Sequence, residues 1–306
     1  MSPDLRLILG VAVLAAGVMA LVAGLRALLP RMARRSETLR LWLGRRSPRL
    51  ARYTDTVRAE WPFLCVMIVI MLVAAFVFFG IAEDMLEGDP SFAADKAVYG
   101  LMRSLRTPAG DTWLIAVTEL GDSIVVTTMG VVVAAWLACR RTWRALLYWS
   151  LAIAGGSLLN TAIKVALHRA RPTDLYHSGW DAFSFPSGHS TTNAVLYGFL
   201  AVLIGRELPK RLHLPLAWAA ALLVALIAFS RLYLGAHWLS DVAGGLTFGS
   251  LWVGILAVLY VHRPARAVGA RTLLAICAAT LILAGGVHIV LHHAADMRLY
   301  ALKSGP

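Results

Sequence analysis

Aliphatic runs long enough to cross a bilayer recur along this chain, and that recurrence restricts it to very few folds. A helix needs roughly 20 mostly apolar residues to traverse the hydrocarbon. Such runs lie near residues 5–29, 61–82, 112–138, 145–163, 189–205, 214–229, 238–261 and 271–292, the fifth and sixth being short. In lipid, unpaired backbone polar groups are so costly that runs of this kind form helices and not isolated strands. Of the 306 residues, 59% are hydrophobic and 15% charged, a balance that fits an all-α, polytopic membrane bundle of about eight transmembrane helices. The first run lacks a basic leader before its core and ends in Leu29-Pro30-Arg31 without a small-residue cleavage site, so it reads as a helix and not as a signal peptide.

The net charge of +12 is concentrated, not spread. Between Arg31 and Arg58 nine arginines face only Glu37 and Asp55, and further basic groups fall at Arg140, Arg141 and Arg144, at Arg206, Lys210 and Arg211, and at Arg263, Arg266 and Arg271. These segments alternate between apolar runs, so placing them all in the cytoplasm satisfies the positive-inside bias and puts both termini outside. The acidic loop with Glu83, Asp84, Glu87, Asp89, Asp95 and Asp111 then faces outward. No nucleic-acid recognition motif accompanies the charge, and nucleic acid is not an expected partner. The arginine-rich stretch, interspersed with Leu39, Leu41, Trp42, Leu43 and Leu50, reads as an interfacial segment on the inner leaflet. Val98, Leu101, Met102 and Leu105 repeat at helical spacing between Asp95 and Arg106, which predicts a second surface helix on the outer side.

No internal repeat or long flexible linker divides the chain. Its expected organisation is an N-terminal span with the basic segment (1–60), a central bundle (61–261), and a basic loop, final span and tail (262–306). Cys65, Cys139 and Cys277 each lie in or beside a different span, away from any metal-ligand spacing, and are expected to be buried free thiols.

Three polar clusters interrupt the apolar sequence at points that this topology gathers on the outer face. Lys164 ends the fourth run, and His168, Arg169, Arg171 and Pro172 follow it. Arginine offers a planar fork of donors and lysine a compact charge, a pairing suited to an anion with several oxygens. The bland alternative is snorkelling to lipid headgroups. Next, Phe185-Pro186-Ser187-Gly188-His189 precedes the fifth run, placing Ser187 and Gly188 at a helix N-terminus whose free amides suit phosphate. Finally, Ser230-Arg231 ends the sixth run, and His237 and Asp241 stand four residues apart near the start of the seventh, on one face of a helix. A carboxylate that accepts the Nδ1 proton leaves Nε2 with a lone pair for nucleophilic attack or for a metal. Glu119, deep in the third run with Asp122 three residues on, is a secondary candidate because an ionisable group at membrane depth is costly. His168, Asp174, His177 and Asp181 read as solvated loop residues.

The order and spacing of these clusters resemble the signature of the type 2 phosphatidic acid phosphatase superfamily, which includes lipid phosphate phosphatases, bacterial acid phosphatases, glucose-6-phosphatase and vanadium haloperoxidases. The family pattern is lysine, six residues and Arg-Pro; then Pro-Ser-Gly-His; then Ser-Arg, five residues, histidine, three residues and aspartate. Every position is matched between Lys164 and Asp241. The resemblance implies a six-helix phosphatase core over residues 61–261, with the first and last spans as additions. It also implies that His237 is the nucleophile, Asp241 its orienting carboxylate, His189 the general acid and then base, and Lys164, Arg171, Ser187, Gly188 and Arg231 the phosphate ligands. No metal or cofactor is implied, and the clusters lack the carboxylates that would hold magnesium against phosphate.

The expected function is therefore hydrolysis of a phosphate monoester or diphosphate on a lipid, at the periplasmic or extracellular face of a bacterial inner membrane. Phosphatidic acid, phosphatidylglycerophosphate, a lipid A phosphate and an undecaprenyl-type carrier diphosphate all fit, with a leaning to the last. A lipid phosphotransferase using the same site is the near alternative, and an anion or lipid transporter the alternative from another class. The interfacial reading of residues 31–58 has its own check: a peptide of that segment should bind anionic vesicles and lose affinity when its arginines become glutamine. Unchanged affinity removes the reading.

Overall fold

The second expected surface helix, six of the eight expected runs and the second run from Met67 onward fall among residues 67–85, 92–172, 182–261 and 266–301, which the computed structural model describes. The first run, the arginine-rich segment, Cys65 and the loop residues Asp174, His177 and Asp181 lie outside the described residues. Among the described residues there is no strand. The helices are α1 (Met67–Met85), α2 (Phe92–Ser104), α3 (Pro108–Glu119), α4 (Ser123–Cys139), α5 (Trp143–Leu167), α6 (Gly188–Gly205), α7 (His213–Tyr233), α8 (Leu239–Val261) and α9 (Ala270–Leu299). Six described segments are long and apolar enough to cross a membrane, and the all-α membrane bundle expected from the sequence is what the chain forms. The predicted surface helix is α2.

Run 112–138 is not one helix. α3 stops at Glu119 and α4 starts at Ser123, because Asp122 accepts the Ile124 N–H at 2.9 Å as a new N-cap and the Gly121 N–H turns back to the Thr118 carbonyl at 2.9 Å. Asn193 of α6 secures the break by donating its side-chain amide to the Gly121 carbonyl at 3.0 Å. An apolar count cannot register such a break, since the side chain that secures it comes from 72 residues away. Its consequence is that Thr118 and Glu119 stand at a helix end, where both are buried.

α6 is the axis of the bundle. It packs on α5, α7 and α8, and its residues from Ser190 to Ile204 are largely buried. This explains why the fifth run is short and carries Ser190, Thr191, Thr192 and Asn193 in its first turns: protein, not lipid, surrounds it. Its contact with α8 depends on the small residues of Gly244-Gly245-Leu246-Thr247-Phe248-Gly249. A Cβ on Gly245 would sit 2.7 Å from the Ser187 carbonyl oxygen, and one on Gly249 2.8 Å from Ala194 Cβ, so only glycine permits the approach.

Two π-helical turns, Leu151–Gly155 in α5 and Leu281–Gly285 in α9, each end within an Ala-Gly-Gly sequence. In the first, Trp252 donates its indole N–H to the Ala152 carbonyl at 3.2 Å and its ring fills the space a Gly155 side chain would need. At the end of the bundle that carries the basic residues, Glu207 accepts the N–H groups of Gly269 and Ala270 at 3.0 and 2.9 Å and that of Val268, capping α9. Arg144 and Arg206 both lie over the Tyr260 ring, at 5.4 and 5.3 Å from its centroid. Cys277 is buried as expected, but Cys139 is exposed, because it falls in the last turn of α4 on the face turned from the core.

The glycine argument predicts opposite signs for one chemical change. Gly245→Ala should destabilise by about 1–3 kcal/mol through overpacking. Gly100→Ala, in α2 with nothing within 4 Å of the new methyl, should stabilise by about 0.5–1 kcal/mol. Thermal unfolding of both variants in one detergent measures the difference.

Candidate active site

The three polar clusters meet at one end of the bundle, where α5, α7 and α9 finish and α6 and α8 begin. Lys164 stands in the last turn of α5, Arg171 in the following loop, Ser187 at the N-cap of α6, Arg231 in the last turn of α7, and His237 and Asp241 at the start of α8. All but the half-buried Arg171 are buried: Lys164 is 3% exposed, Arg231 1%, His237 3%, and Ser187 and Asp241 0%. The positive charges of Arg171, Arg231 and Lys164 act on both His189 and His237, so cations and imidazoles share one small volume. Ser187 Oγ accepts from the Ser190 N–H at 3.4 Å and the Ser190 hydroxyl at 3.1 Å. Gly188, the first helical residue, faces Asn160 and Lys164, where a side chain's first atom would lie 3.8 Å from the Asn160 amide nitrogen.

The five residues between Arg231 and His237 are a helix stop. The Ala236 N–H bonds to the Arg231 carbonyl at 3.1 Å and the Gly235 N–H to the Leu232 carbonyl at 3.0 Å, with Gly235 in the left-handed region at φ 68°. This 6→1 and 5→2 pair is the usual glycine-terminated end of an α-helix. It reverses the chain within one turn, so the last residues of α7 and the first of α8 face the same space.

His237 and Asp241 pair by a different route from the one expected. His237 precedes α8 and is not helical, whereas Asp241 lies in the first turn and folds back to accept the Trp238 N–H at 2.9 Å. That is the reciprocal contact of a helix N-terminal box, with a carboxylate three residues in satisfying an orphan amide. The same oxygen, Oδ2, reaches His237 Nδ1 at 3.4 Å. On the other side of the ring, an Arg171 Nη1 donor stands 2.9 Å from Nε2 and also bonds the Ala236 carbonyl at 2.9 Å. A guanidinium only donates, so Nε2 must be the acceptor and Nδ1 must carry the proton. Burial, then the charges of Arg171, Arg231 and Lys164, hold this imidazole well below its ordinary value of 6.5 and keep it neutral.

Sequence reasoning missed two sets of partners. Arg169, read as part of an excess of positive charge after Lys164, turns to carboxylates: it pairs with Asp241 Oδ1 and with Asp95 of α2. The segment carrying it is fixed by the Ser184 N–H on the Arg169 carbonyl at 2.8 Å, and by the Ser184 hydroxyl and the Trp238 indole on the Ala170 carbonyl, both at 3.0 Å. Arg231 is held by Thr118 of α3 and by Tyr300, just beyond α9: its Nη1 donates to the Thr118 hydroxyl at 2.9 Å and the Tyr300 hydroxyl at 2.8 Å. Asp95 had a signal, as the acidic residue that opens an amphipathic helix. Tyr300 had none.

The remaining candidates stand apart. Glu119 is 1% exposed and accepts from, or pairs with, His293 Nδ1 of α9 at 3.0 Å. Asp122 caps α4 and lies 3.8 Å from His288 Nε2. His168 ends α5 with φ 48° and packs its ring edge-on to Phe183 at 4.5 Å, while Lys164 Nζ donates to the Phe183 carbonyl at 2.8 Å. Among the described residues, no three His, Cys, Asp or Glu side chains gather in a way that could hold a metal ion.

A family model described as the PAP2 superfamily matches residues 145–265. Phosphatidylglycerophosphatase B of Bacillus subtilis is 33% identical over 184 residues, which cover 58% of this chain and 89% of that protein. Lipid A 1-phosphatase of Rhizobium etli is 31% identical over 205 residues, covering 60% of this chain and 81% of that one. Among solved structures, a transmembrane PAP2-type phosphatidylglycerolphosphate phosphatase from Bacillus subtilis superposes with a TM-score of 0.52 at 28% identity, over 63% of this chain and 94% of its own.

The contact to Tyr300 ties the end of α9 to Arg231, a candidate phosphate ligand. Tyr300→Phe removes one acceptor from Arg231 and leaves Thr118 in place. By isothermal titration, its affinity for inorganic phosphate should fall several-fold, in line with about 0.5–1.5 kcal/mol for one hydrogen bond. An unchanged affinity would detach Tyr300 from the site.

Proposed function

The chain belongs to the PAP2 superfamily, and on that footing we propose that it is a membrane-embedded phosphatase that hydrolyses a lipid phosphate through a phosphohistidine intermediate. The observation that carries the reading is the state of His237: Nδ1 directed at a buried carboxylate, Nε2 left as the lone pair, and cations around it. A neutral imidazole of that tautomer is a nucleophile without further activation.

In the proposed reaction, Arg171, Arg231, Lys164, the Ser187 hydroxyl and the Gly188 amide receive the phosphoryl oxygens. Arg171 then exchanges His237 Nε2 for substrate, freeing the lone pair. Nε2 attacks phosphorus, the bond from phosphorus to the lipid oxygen breaks, and His189, which takes up a proton as the anionic phosphate binds beside it, gives that oxygen the proton. The positive charge that develops on the His237 ring is balanced by Asp241. Neutral His189 next takes a proton from water, which attacks phosphorus; the P–N bond breaks and inorganic phosphate leaves with His237 restored. Two chemical steps replace one difficult one, and donors fixed in a buried site stabilise the charge that builds up in each transition state.

A lipid substrate is favoured because the site lies at the end of membrane-crossing helices, in the plane to which a lipid headgroup is confined. Among lipids, a phosphate monoester such as phosphatidylglycerophosphate is the first choice. It is the substrate named by the relative of which this chain covers 89%. The sequence's leaning to a carrier diphosphate rests on nothing in the described loops. By the positive-inside reading, the site opens on the periplasmic or extracellular face of the inner membrane. Glu119 is placed outside the chemistry, as an anchor of α9 through His293.

The test is phosphate release by purified protein from a panel of lipid phosphates, in the presence of EDTA. His237→Ala should lose turnover by on the order of 10³-fold or more, the scale of removing a nucleophile. Acid-labile, base-stable label on the wild-type protein after brief reaction should identify the histidine adduct, and release of inorganic phosphate to water separates hydrolysis from transfer to a second lipid. Undiminished turnover in His237→Ala would end the mechanism.

A further inference from the structure

We propose that Asp95 and Arg169 are positioning residues for His237, acting through Asp241; the proposal rests on the phosphohistidine reading above. Arg169 lies between two carboxylates. Its Nη1 donates to Asp241 Oδ1 and to the Ser240 hydroxyl, the latter at 2.7 Å, and its Nη2 pairs with Asp95 Oδ2 at 2.6 Å. Asp95 in turn accepts the Ser240 N–H at 2.9 Å and the Ser240 hydroxyl at 2.6 Å. Side-chain exposures are 6% for Asp95, 10% for Arg169, 0% for Asp241 and 2% for His237, so the whole chain of contacts is shielded from solvent.

A carboxylate can rotate about its last bond and present either oxygen to its neighbour. In Asp241 both oxygens are claimed: Oδ1 by Arg169 and, at 3.3 Å, by the Ser184 hydroxyl, and Oδ2 by the Trp238 N–H. Only Oδ2 remains directed at His237, so the plane of the carboxylate and the direction of the Nδ1 proton are set by Arg169, Ser184 and the Trp238 amide, none of them a position of the family pattern. Charge is arranged by the same contacts. The Arg169 guanidinium is the ion-pair partner of Asp241, the carboxylate that faces the forming imidazolium as its counter-ion. Asp95 offsets the charge of Arg169, so the unit from Asp95 to Asp241 presents one net negative charge to the ring. α2 thereby becomes part of the site and not a bystander at the membrane surface, since Asp95 opens it and ties it to the first turn of α8.

A residue that acts through Asp241 should have no effect once Asp241 is gone. Arg169→Lys and Asp95→Asn are therefore measured in the full-length protein, alone and combined with Asp241→Asn, by steady-state release of phosphate and by inhibition with inorganic phosphate. Each single variant should lower kcat about 10-fold or more, with KM and phosphate inhibition unchanged. In the Asp241→Asn background each should add less than about 2-fold, the signature of coupled residues. Fully multiplicative effects, or a loss confined to KM and phosphate inhibition, would overturn the proposal and make Arg169 a ligand of the substrate. Should Arg169→Lys fail to elute as folded protein, Asp95→Asn decides alone, because it leaves Arg169 on Asp241. His237→Ala run beside them separates the two levels: turnover that survives there overturns the phosphohistidine reading and this proposal together. Loss there with multiplicative effects elsewhere overturns the positioning role of Asp95 and Arg169 only.

Discussion

A charge carried into an apolar bundle has to be met atom by atom, because no water is at hand to solvate it, and the end of this bundle carries several. Lys164, Arg169, Arg171 and Arg231 are held by backbone carbonyls, hydroxyls and carboxylates drawn from α2, α3 and α8, from the loops at Phe183 and Ala236 and from the residue that follows α9, and Asp241 is held by the Arg169 guanidinium and the Trp238 N–H. Each of those helices ends, begins or breaks at this level. The break between Glu119 and Ser123 exists here because Asn193 and Asp122 satisfy the backbone it frees, and it places Thr118 under Arg231. Satisfying buried charge thus shapes the helix boundaries, and the helix boundaries shape the site.

The spacings that carry the family resemblance translate into helix-terminus chemistry. Ser-Arg, five residues and His is a glycine-terminated helix end followed by a reversal; His, three residues and Asp is a capping contact at the next N-terminus. This is why the pattern was legible without coordinates, even though the expectation of His237 and Asp241 on one helical face was wrong in detail. The apolar runs were legible for the same kind of reason, since membrane thickness fixes their length. What composition could not show were contacts that depend on distant partners: the Asn193 amide at Gly121, the Glu207 cap on α9, and Arg169 turning from an anticipated anion to Asp95 and Asp241.

Arg169 and Arg171 illustrate the limit most clearly. Two residues apart in a loop, they look interchangeable as cationic ligands for phosphate. The segment between them is pinned at Ala170 by Ser184 and Trp238, and with that carbonyl fixed the two side chains leave in different directions, one to the carboxylates and one to His237 Nε2. Residue type alone gives both the same role; only the backbone's anchoring separates them.

The last helix shows how a segment outside the signature can still belong to the chemistry. α9 is fastened at one end by Glu207 accepting its first amides, and at the other by His293 on Glu119 and by Tyr300, whose hydroxyl accepts from Arg231 and whose carbonyl accepts from Arg106 at 2.6 Å. Arg106 is itself fixed by a two-point pair with Asp111 at 3.0 and 2.9 Å. A hydroxyl held from both its own backbone and its helix can impose an orientation on a guanidinium that a freely rotating side chain could not, and a guanidinium oriented in advance loses less entropy when it meets an anion. Arg231, one of the phosphate ligands in this reading, is therefore ordered in part by the end of α9, which puts a functional demand on a part of the chain that no motif marks.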